Sequence, residues 1–242
     1  MGSKLLRVPS VLADAREQSW LFDHFNEYTD AQLWTKAVAG TGTVGHEGDA
    51  GRSCMKLFCT AANDAAVLPT TNEVFKFIAS KAMVFETRIV FTDVDTDDGH
   101  VFFGCANALA ATTMADTTGA ITATDAIGIY KLPDTTVWAF HTEINTSITG
   151  LGDATTGSVS NTTAGGTAFQ VLRIEVVPRS ATVFECRPYV DGVQLKTSTG
   201  LPIMHTVTLG TATDMDFGIM TKSNDAADFT LYTDYLYGAY VS

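Results

Sequence analysis

The sequence predicts an all-β fold, a jelly-roll β-sandwich of two antiparallel sheets. Apolar and polar residues alternate with a period of two along most of the chain, as in strands that bury one face. Helical periodicity is nearly absent, and the best helical candidate is a short turn at residues 29–34. Gly, Asp, Asn and Thr separate the alternating runs, which is typical of a sandwich or jelly roll.

The alternation predicts eleven strands. In chain order they span residues 54–60, 74–78, 83–91, 100–107, 126–132, 136–143, 169–177, 183–190, 203–209, 215–221 and 229–241. Asp191-Gly192 follows the eighth strand and predicts a type I′ hairpin turn, which needs positive φ at both central positions. The alternate apolar residues flanking residues 178–182 are expected in the core between the sheets: Leu172, Ile174, Val176, Phe184 and Val190.

The chain divides into an N-terminal arm and one sandwich domain. Residues 1–18 lack alternation and contain Pro9, which predicts an extended arm, and residues 19–242 form the β-sandwich domain. Within the domain, residues 108–125 and 145–167 are rich in small polar residues. They are predicted to be long loops that either pack on the sandwich or become ordered against a neighbouring chain. The glycine-rich residues 40–45 are also predicted to be a loop.

Charge and hydropathy exclude several classes of partner. The chain has 27 acidic and 15 basic residues among 242, a net charge of −12. Nucleic acids and anionic membranes select basic patches, so neither is an expected partner. No apolar run approaches the roughly 20 residues of a membrane span. The N-terminal apolar stretch is too short for a signal peptide, so we expect synthesis in the cytoplasm without export by that route.

The four cysteines are Cys54, Cys59, Cys105 and Cys186, each in an apolar or alternating stretch. No pair has CxxC spacing, and no histidine lies at zinc-finger spacing from them. We expect buried free thiols, with a disulfide between Cys54 and Cys59 as the alternative.

Four aspartates in the loop at residues 93–99 raise the question of a metal site. Asp93, Asp95 and Asp97 match the first, third and fifth ligand positions of an EF-hand loop. The sixth position should be glycine and is Asp98, and the twelfth should be glutamate and is Gly104. We expect a solvated hairpin turn and assign no metal ligands, with a looser calcium site as the alternative.

No catalytic residue or cofactor site is identified. Retaining glycosidases built on such sandwiches carry alternating carboxylates on one strand, but Glu86, Glu175 and Glu185 have no acidic residue two positions on. The sequence His141-Thr142-Glu143 resembles the His-x-Glu of zinc deaminases, but no Pro-Cys-x-x-Cys follows. We interpret it as one strand with His and Glu on the same face, and we expect a protein that is not an enzyme.

Aromatic side chains are the remaining candidates, because their rings could stack on sugars. Trp138 lies in a strand whose pattern favours a core position. The last strand carries Tyr232, Tyr235, Tyr237 and Tyr240, which are expected to pack on the sheet or at an interface.

Two segments carry a resemblance to a known family. Residues 169–176 (FQVLRIEV) and 183–192 (VFECRPYVDG) resemble a strand pair of laminin-G-like, concanavalin A-like domains, and Phe22-Asp23-His24-Phe25 with Trp34 resembles their first strand. The resemblance spans residues 20–241 and implies a concanavalin A-like jelly roll. The calcium and sugar ligands of lectins are not recognised at matching positions.

A second resemblance concerns function. Residues 62–68, 73–77, 85–89 and 136–138 resemble a group of tailed-phage capsid decoration or cement proteins. This implies a non-enzymatic structural protein on the virion capsid surface, made in the host cytoplasm. Its expected partners are the major capsid protein and neighbouring copies of itself, as a homo-oligomer on the particle. The first alternative is a carbohydrate-binding, lectin-like module that binds host glycans, and the second is a degenerate glycosidase-like enzyme.

Overall fold

The computed structural model describes residues 20–25, 32–49, 52–79, 81–93, 99–116, 118–133, 135–144, 147–148, 158–209, 214–224 and 228–241. The regular structure in these residues is β-strand. A membrane-crossing helix, long and apolar enough to span the bilayer, is not found among them. The predicted arm, residues 1–18, and its boundary at residue 19 lie outside the described residues and stay predictions.

Eighteen strands follow one another in the described residues. They are β1 Trp20–Asp23, β2 Ala37–Ala39, β3 Thr43–Asp49, β4 Arg52–Cys59, β5 Ala65–Pro69, β6 Phe75–Lys76, β7 Ala82–Asp93, β8 Gly99–Ala106, β9 Ala126–Lys131, β10 Val137–Ile144, β11 Ser147–Ile148, β12 Ser158–Thr163, β13 Gly166–Pro178, β14 Val183–Val190, β15 Val193–Gln194, β16 His205–Thr208, β17 Asp214–Ser223 and β18 Phe229–Val241.

The strands form two antiparallel sheets, each of nine described strands. Sheet I has the order β15-β14-β13-β7-β18-β4-β3, and β1 and β16 also pair with β18 and β14. Sheet II has the order β11-β10-β9-β8-β17-β5-β2, with β12 on β10 and β6 on β17. The many non-consecutive neighbours are those of a jelly roll, so the predicted all-β, two-sheet fold class is confirmed.

The core lies between the two sheets and is built by the predicted alternation. Leu172, Ile174, Val176 and Phe184 are 0% exposed and Val190 is 3% exposed, which confirms all five predicted core positions. Each such side chain stabilises the fold by about 1.5–3 kcal/mol through burial. The core also contains Trp138, as predicted.

Two of the predicted strands have the observed bounds, Val183–Val190 and Phe229–Val241. The predicted hairpin turn is also confirmed, because Asp191 and Gly192 have φ of 51° and 77° and Val190 pairs with Val193. These segments have strong alternation and an unambiguous turn dipeptide.

Several sequence predictions were wrong, each where tertiary pairing outweighs a weak local pattern. Residues 43–45 of the predicted loop at 40–45 begin β3, which pairs with β4 from Thr43↔Phe58 to Asp49↔Arg52. The predicted loop at 145–167 contains β12. Within the helical candidate at 29–34, residues 32–34 are not helical, because Trp34 forms a β-bridge with Thr70. Backbone pairing does not require apolar alternation, so sequences such as SVSNTT form strands at sheet edges.

The thiol prediction holds, with one correction. All four cysteines are free, so the alternative Cys54–Cys59 disulfide was wrong. Cys59, Cys105 and Cys186 are buried, whereas Cys54 is half-buried on the outer face of β4. Burial raises the pKa of Cys59 to about 12, which keeps that thiol protonated.

A buried carboxylate holds the turn between β2 and β3. Asp64 is 3% exposed and accepts hydrogen bonds from Thr41 N at 2.8 Å, Thr41 Oγ1 at 2.6 Å, Thr60 N at 3.0 Å and Ala61 N at 2.9 Å. Gly40 has a φ of 62°, and a Cβ there would lie 2.0 Å from Asp64 Oδ1. The close approach of the turn to this carboxylate therefore requires glycine.

A β-bulge in β18 sets the direction of the tyrosines near the chain end. The register against β7 shifts between Thr233 and Tyr235, and Thr87 Oγ1 donates a hydrogen bond to Tyr235 O at 2.8 Å. Because of the extra residue, Leu231 and Leu236 both face the core although they are five residues apart. Tyr235 and Tyr237 consequently lie on the outer face of sheet I.

The outer face of sheet II is covered by the chain itself. Residues 107–125, named here the cover segment, bury Leu109 and Met114 against this face. The covered residues of the sheet are Val67, Phe102, Ala106, Ala126, Tyr130, Ala139 and Met220. Lys222 Nζ donates hydrogen bonds to Met114 O at 3.0 Å and Ala111 O at 3.3 Å. Of the two predicted arrangements of this segment, packing on the sandwich is the one observed.

Candidate functional site

The covered face of sheet II contains histidines that are structural in character. His100 and His141 are 0% and 1% exposed, and within the described residues none of their ring nitrogens makes a hydrogen bond. Burial lowers the pKa of His100 to about 3, with further lowering by the nearby ammonium groups of Lys131 and Lys222. Burial also lowers the pKa of His141 to about 4. Both rings are therefore neutral at pH 7 and closed to ligands.

The His141-Thr142-Glu143 sequence behaves as predicted. His141 Nε2 lies 3.4 Å from Glu143 Oε2 on the same face of β10, while Thr142 faces the opposite side. Thr142 Oγ1 hydrogen-bonds to Nδ1 of the buried His205 at 2.9 Å, and Ser158 Oγ hydrogen-bonds to its Nε2 at 2.8 Å. Burial, reinforced by His141, lowers the pKa of His205 to about 4. This network fixes the contact between β10 and β16.

The outer face of sheet I is the accessible one, and it carries a row of ion pairs. Arg173 on β13 lies between two carboxylates, with Nη1 at 3.4 Å from Glu86 on β7 and Nη2 at 2.8 Å from Glu175. Glu185 on β14 contacts both Arg179, at 2.6 Å, and Arg187. Glu86, Glu175 and Glu185 lie on three neighbouring strands and are thus brought onto one face. The spacing of residues along a single strand could not indicate this arrangement.

These carboxylates are not arranged for acid–base catalysis. A glycosidase needs two carboxyl groups across a cleft, one with a raised pKa. Burial acts to raise the pKa of Glu185, but hydrogen bonds from Arg179 and Arg187 outweigh it and hold the pKa below its ordinary value. Arg173 likewise separates Glu86 from Glu175 with its guanidinium.

A cluster of aromatic rings lies beside this row, at the junction of β1 and β18. The aromatic patch consists of Phe22, His24, Tyr235 and Tyr237. The Phe22 ring centroid lies 4.6 Å from His24, 5.9 Å from Tyr235 and 6.1 Å from Tyr237. Phe22 is 41% exposed although it is a large apolar side chain. Three neighbouring rings therefore hold an apolar ring at the surface of sheet I.

Polar groups border the aromatic patch. Tyr235 Oη donates a hydrogen bond to Glu86 Oε1 at 2.7 Å, and burial together with this bond raises the pKa of Tyr235. Arg88 pairs in register with Tyr235, and its Nη1 lies 2.7 Å from Asp234 Oδ2. The Arg88 guanidinium also lies 4.2 Å from the centroid of the Phe169 ring. The patch therefore combines apolar ring faces with fixed hydrogen-bonding groups.

The other predicted aromatic candidates lie elsewhere. Trp138 is 0% exposed, and its indole N–H donates a hydrogen bond to Gln170 Oε1 at 3.1 Å. Tyr240 is 7% exposed and faces the core, where its hydroxyl accepts from Lys76 N and donates to Lys76 O. Packing on the sheet, one of the two predicted arrangements, is thus confirmed for Tyr240.

A second surface feature is a shallow depression between β3 and β4. It has a volume of about 140 Å³ and is lined by Thr43, Val44, Gly45, His46, Glu47, Lys56 and Phe58. Sites for drug-sized ligands typically occupy about 300–1,000 Å³. The depression is too small to enclose such a ligand.

Most of the aspartate loop at residues 93–99 lies outside the described residues. Asp95, Asp97 and Asp98 lie outside the described residues, and Asp93 is placed only by its backbone pairing with Phe229. In the described ranges, no three His, Cys, Asp or Glu side chains are grouped to hold a metal ion. The solvated-turn interpretation stays a prediction.

Similarity to known proteins is visible in structure and not in sequence. No family model and no curated protein matches the chain. The potassium-bound carbohydrate recognition domain of Emp46p is similar with a TM-score of 0.55 at 13% identity, over 89% of this chain and 94% of that one. Peanut lectin in complex with a 9-residue peptide has a TM-score of 0.52 at 11% identity, over 93% and 97%. The endo-1,3-β-glucanase of Streptomyces sioyaensis has a TM-score of 0.55 at 15% identity, over 93% and 97%.

These similarities concern the fold, because the identities are too low to carry function. They agree with the resemblance to concanavalin A-like domains. Since the neighbours include sugar-binding domains and a glucanase, the fold alone does not decide between binding and catalysis. The chain has the concanavalin A-like jelly-roll fold of lectin domains.

Proposed function

We propose that the protein is a non-enzymatic carbohydrate-binding module and that the aromatic patch on the outer face of sheet I holds the sugar. The observation that carries the proposal is the exposed Phe22 ring supported by Tyr235 and Tyr237, beside the hydrogen-bonded carboxylate of Glu86. The shared fold with carbohydrate recognition domains supports it.

The chemistry of the patch suits a pyranose ring. The C–H face of a sugar is apolar and packs against an aromatic ring, while its hydroxyls need donors and acceptors at the ring edge. Tyr235 and Glu86 are held together by a 2.7 Å hydrogen bond, so the polar groups are oriented before a ligand arrives. Pre-orientation reduces the entropy lost on binding.

A binding role fits this face better than hydrolysis. Each of Glu86, Glu175 and Glu185 is in contact with at least one arginine, which stabilises the ionised form and disfavours a general acid. The cover segment packs over much of the opposite outer face, that of sheet II. These features support a binding module over a glycosidase-like enzyme.

The test is a glycan array followed by titration calorimetry of the best ligand. Replacing Tyr237 by Ala removes one ring of the patch and should weaken binding by about 1 kcal/mol, roughly fivefold, as expected for one aromatic contact. Tyr189→Ala is the matched control, because Tyr189 lies on the same outer face, three strands away on β14. Its effect on affinity should be less than twofold.

The same experiment separates the proposal from a structural role on a phage capsid. Tyr and Arg are also enriched at protein interfaces, so the outer face of sheet I could instead dock on a capsid protein. Absence of binding across the array, together with co-sedimentation on capsids that lack the protein, would replace the carbohydrate proposal by the capsid one.

A further inference from the structure

We infer that the aromatic patch selects uncharged glycans and rejects carboxylated or sulfated ones, because the arginines of this face whose side chains the structure describes are already paired with its own carboxylates. The inference rests on the proposed function and adds the ligand class to it. Recognition of an acidic sugar needs a cation that is available for its carboxylate or sulfate group.

Arg88 is the cation nearest to the patch along β7, and it is paired with a neighbouring carboxylate. Its Nη1 contacts Asp234 Oδ2 at 2.7 Å, and its planar face lies over the Phe169 ring at 4.2 Å. Asp234 is the residue inserted by the bulge in β18, between Thr233 and Tyr235. The same β-bulge therefore turns Tyr235 outward and supplies the carboxylate that forms an ion pair with Arg88.

The described arginines farther from the patch also form ion pairs with carboxylates of the same face. Arg173 contacts Glu86 at 3.4 Å and Glu175 at 2.8 Å, and both arginines near Glu185 bind that one carboxylate. The pKa of Arg173 is raised: burial acts against the charged form, but hydrogen bonds and charge from Glu175 and Glu86 outweigh it. An anionic sugar would have to displace a carboxylate from each of these pairs.

Neutral hydroxyl groups meet no such penalty. Each ion-paired carboxylate keeps lone pairs that accept hydrogen bonds from sugar hydroxyls, as Glu86 already does from Tyr235. The net charge of −12 adds a long-range repulsion for anions. The face therefore offers acceptors to a neutral glycan and repulsion to an acidic one.

The experiment compares oligosaccharides that differ only in charge. Affinities are measured by calorimetry for oligogalacturonate and its methyl ester, and for sialyllactose and its methyl ester, at 50 and 300 mM NaCl. In each pair that is bound, we expect the neutral member to bind at least tenfold more tightly. Its affinity should change less than twofold with salt, because exposed charges contribute little to it.

A single substitution tests the cause of the selectivity. Asp234→Asn removes the carboxylate that holds Arg88 and should reduce the neutral-to-acidic affinity ratio at least threefold, with the gain for the acidic sugar lost at 300 mM NaCl. Asp214→Asn is the control, since Asp214 pairs with Lys76 in sheet II at 3.1 Å. It should leave the ratio unchanged.

The possible failures are distinguishable. Tighter binding of the acidic member, still lost on Tyr237→Ala, would overturn the selectivity while leaving the binding site in place. An unchanged ratio in Asp234→Asn would refute the role of the Arg88 pair. No binding of any neutral or acidic member, on these pairs and across the array, would overturn the proposed function itself.

Discussion

Acidification from pH 7 to pH 5 should destabilise the protein strongly, because three histidines are buried in the neutral form. The folded-state pKa values of His100, His141 and His205 are about 3, about 4 and about 4, against an ordinary value of 6.5. The unfolded chain therefore binds more protons than the folded protein below pH 6.5. The stability that these groups contribute is present above pH 6.5 and is lost as the pH falls toward 4.

The size of the effect follows from the pKa differences. At pH 5 an unfolded histidine with a pKa of 6.5 is almost fully protonated, which costs the folded state about 2 kcal/mol per buried ring. Three rings together give about 6 kcal/mol, a large share of the roughly 5–15 kcal/mol that stabilises an ordinary domain. Near pH 5, the slope of the free energy of unfolding against pH should correspond to the uptake of nearly three protons on unfolding.

The assay is urea denaturation at several pH values between 7 and 5, followed by the fluorescence of the buried Trp34 and Trp138. His100→Leu should reduce the proton slope by about one, whatever its effect on the absolute stability. His46→Asn is the control, because His46 is exposed on β3. A free energy of unfolding that is constant between pH 7 and pH 5 would refute the reasoning.

Three further predictions concern the turn carboxylate, the metal question and the arm. Asp64→Ala should lower the free energy of unfolding by about 3 kcal/mol through the loss of its charge-assisted hydrogen bonds, as measured by urea denaturation, and a loss below 1 kcal/mol would contradict the role given to Asp64. Hydrogen bonds from Thr41, Thr60 and Ala61 outweigh the effect of burial and lower the pKa of Asp64 to about 2. The stability that the ionised Asp64 contributes is therefore present above pH 3.8 and is lost as the pH falls through 2. Calorimetry with Ca²⁺ should give no micromolar isotherm for the loop at residues 93–99; an isotherm lost on Asp95→Ala would overturn this. Deleting residues 1–18 should leave the thermal midpoint nearly unchanged, and a large fall in the midpoint would argue against an independent arm.

The sequence predicted those parts of the fold where a local pattern and the tertiary contacts agree. Residues 183–190 and 229–241 alternate strongly, and both became strands with the expected bounds. β3 was missed because TVGHEGD has few apolar residues and is held by its pairing with β4. Strand pairing of that kind joins positions that no local pattern connects.

The candidate site could be predicted only in part. Tyr235 and Tyr237 were among the four tyrosines assigned to the last strand, and their i, i+2 spacing is that of residues on one face. Their partner Phe22 lies more than 200 residues away and joins them through the Phe22↔Tyr237 register. The outward direction of Tyr235 also depends on the bulge at Asp234, which has no glycine or proline to mark it in the sequence.

The central claim, that the aromatic patch holds a sugar, is tested most directly by a crystal structure of the protein with a neutral oligosaccharide selected on the array. The account predicts a sugar ring stacked on Phe22 or Tyr237, with at least one hydroxyl donating a hydrogen bond to Glu86. A sugar bound in the depression between β3 and β4, or on any surface away from the patch, would contradict it.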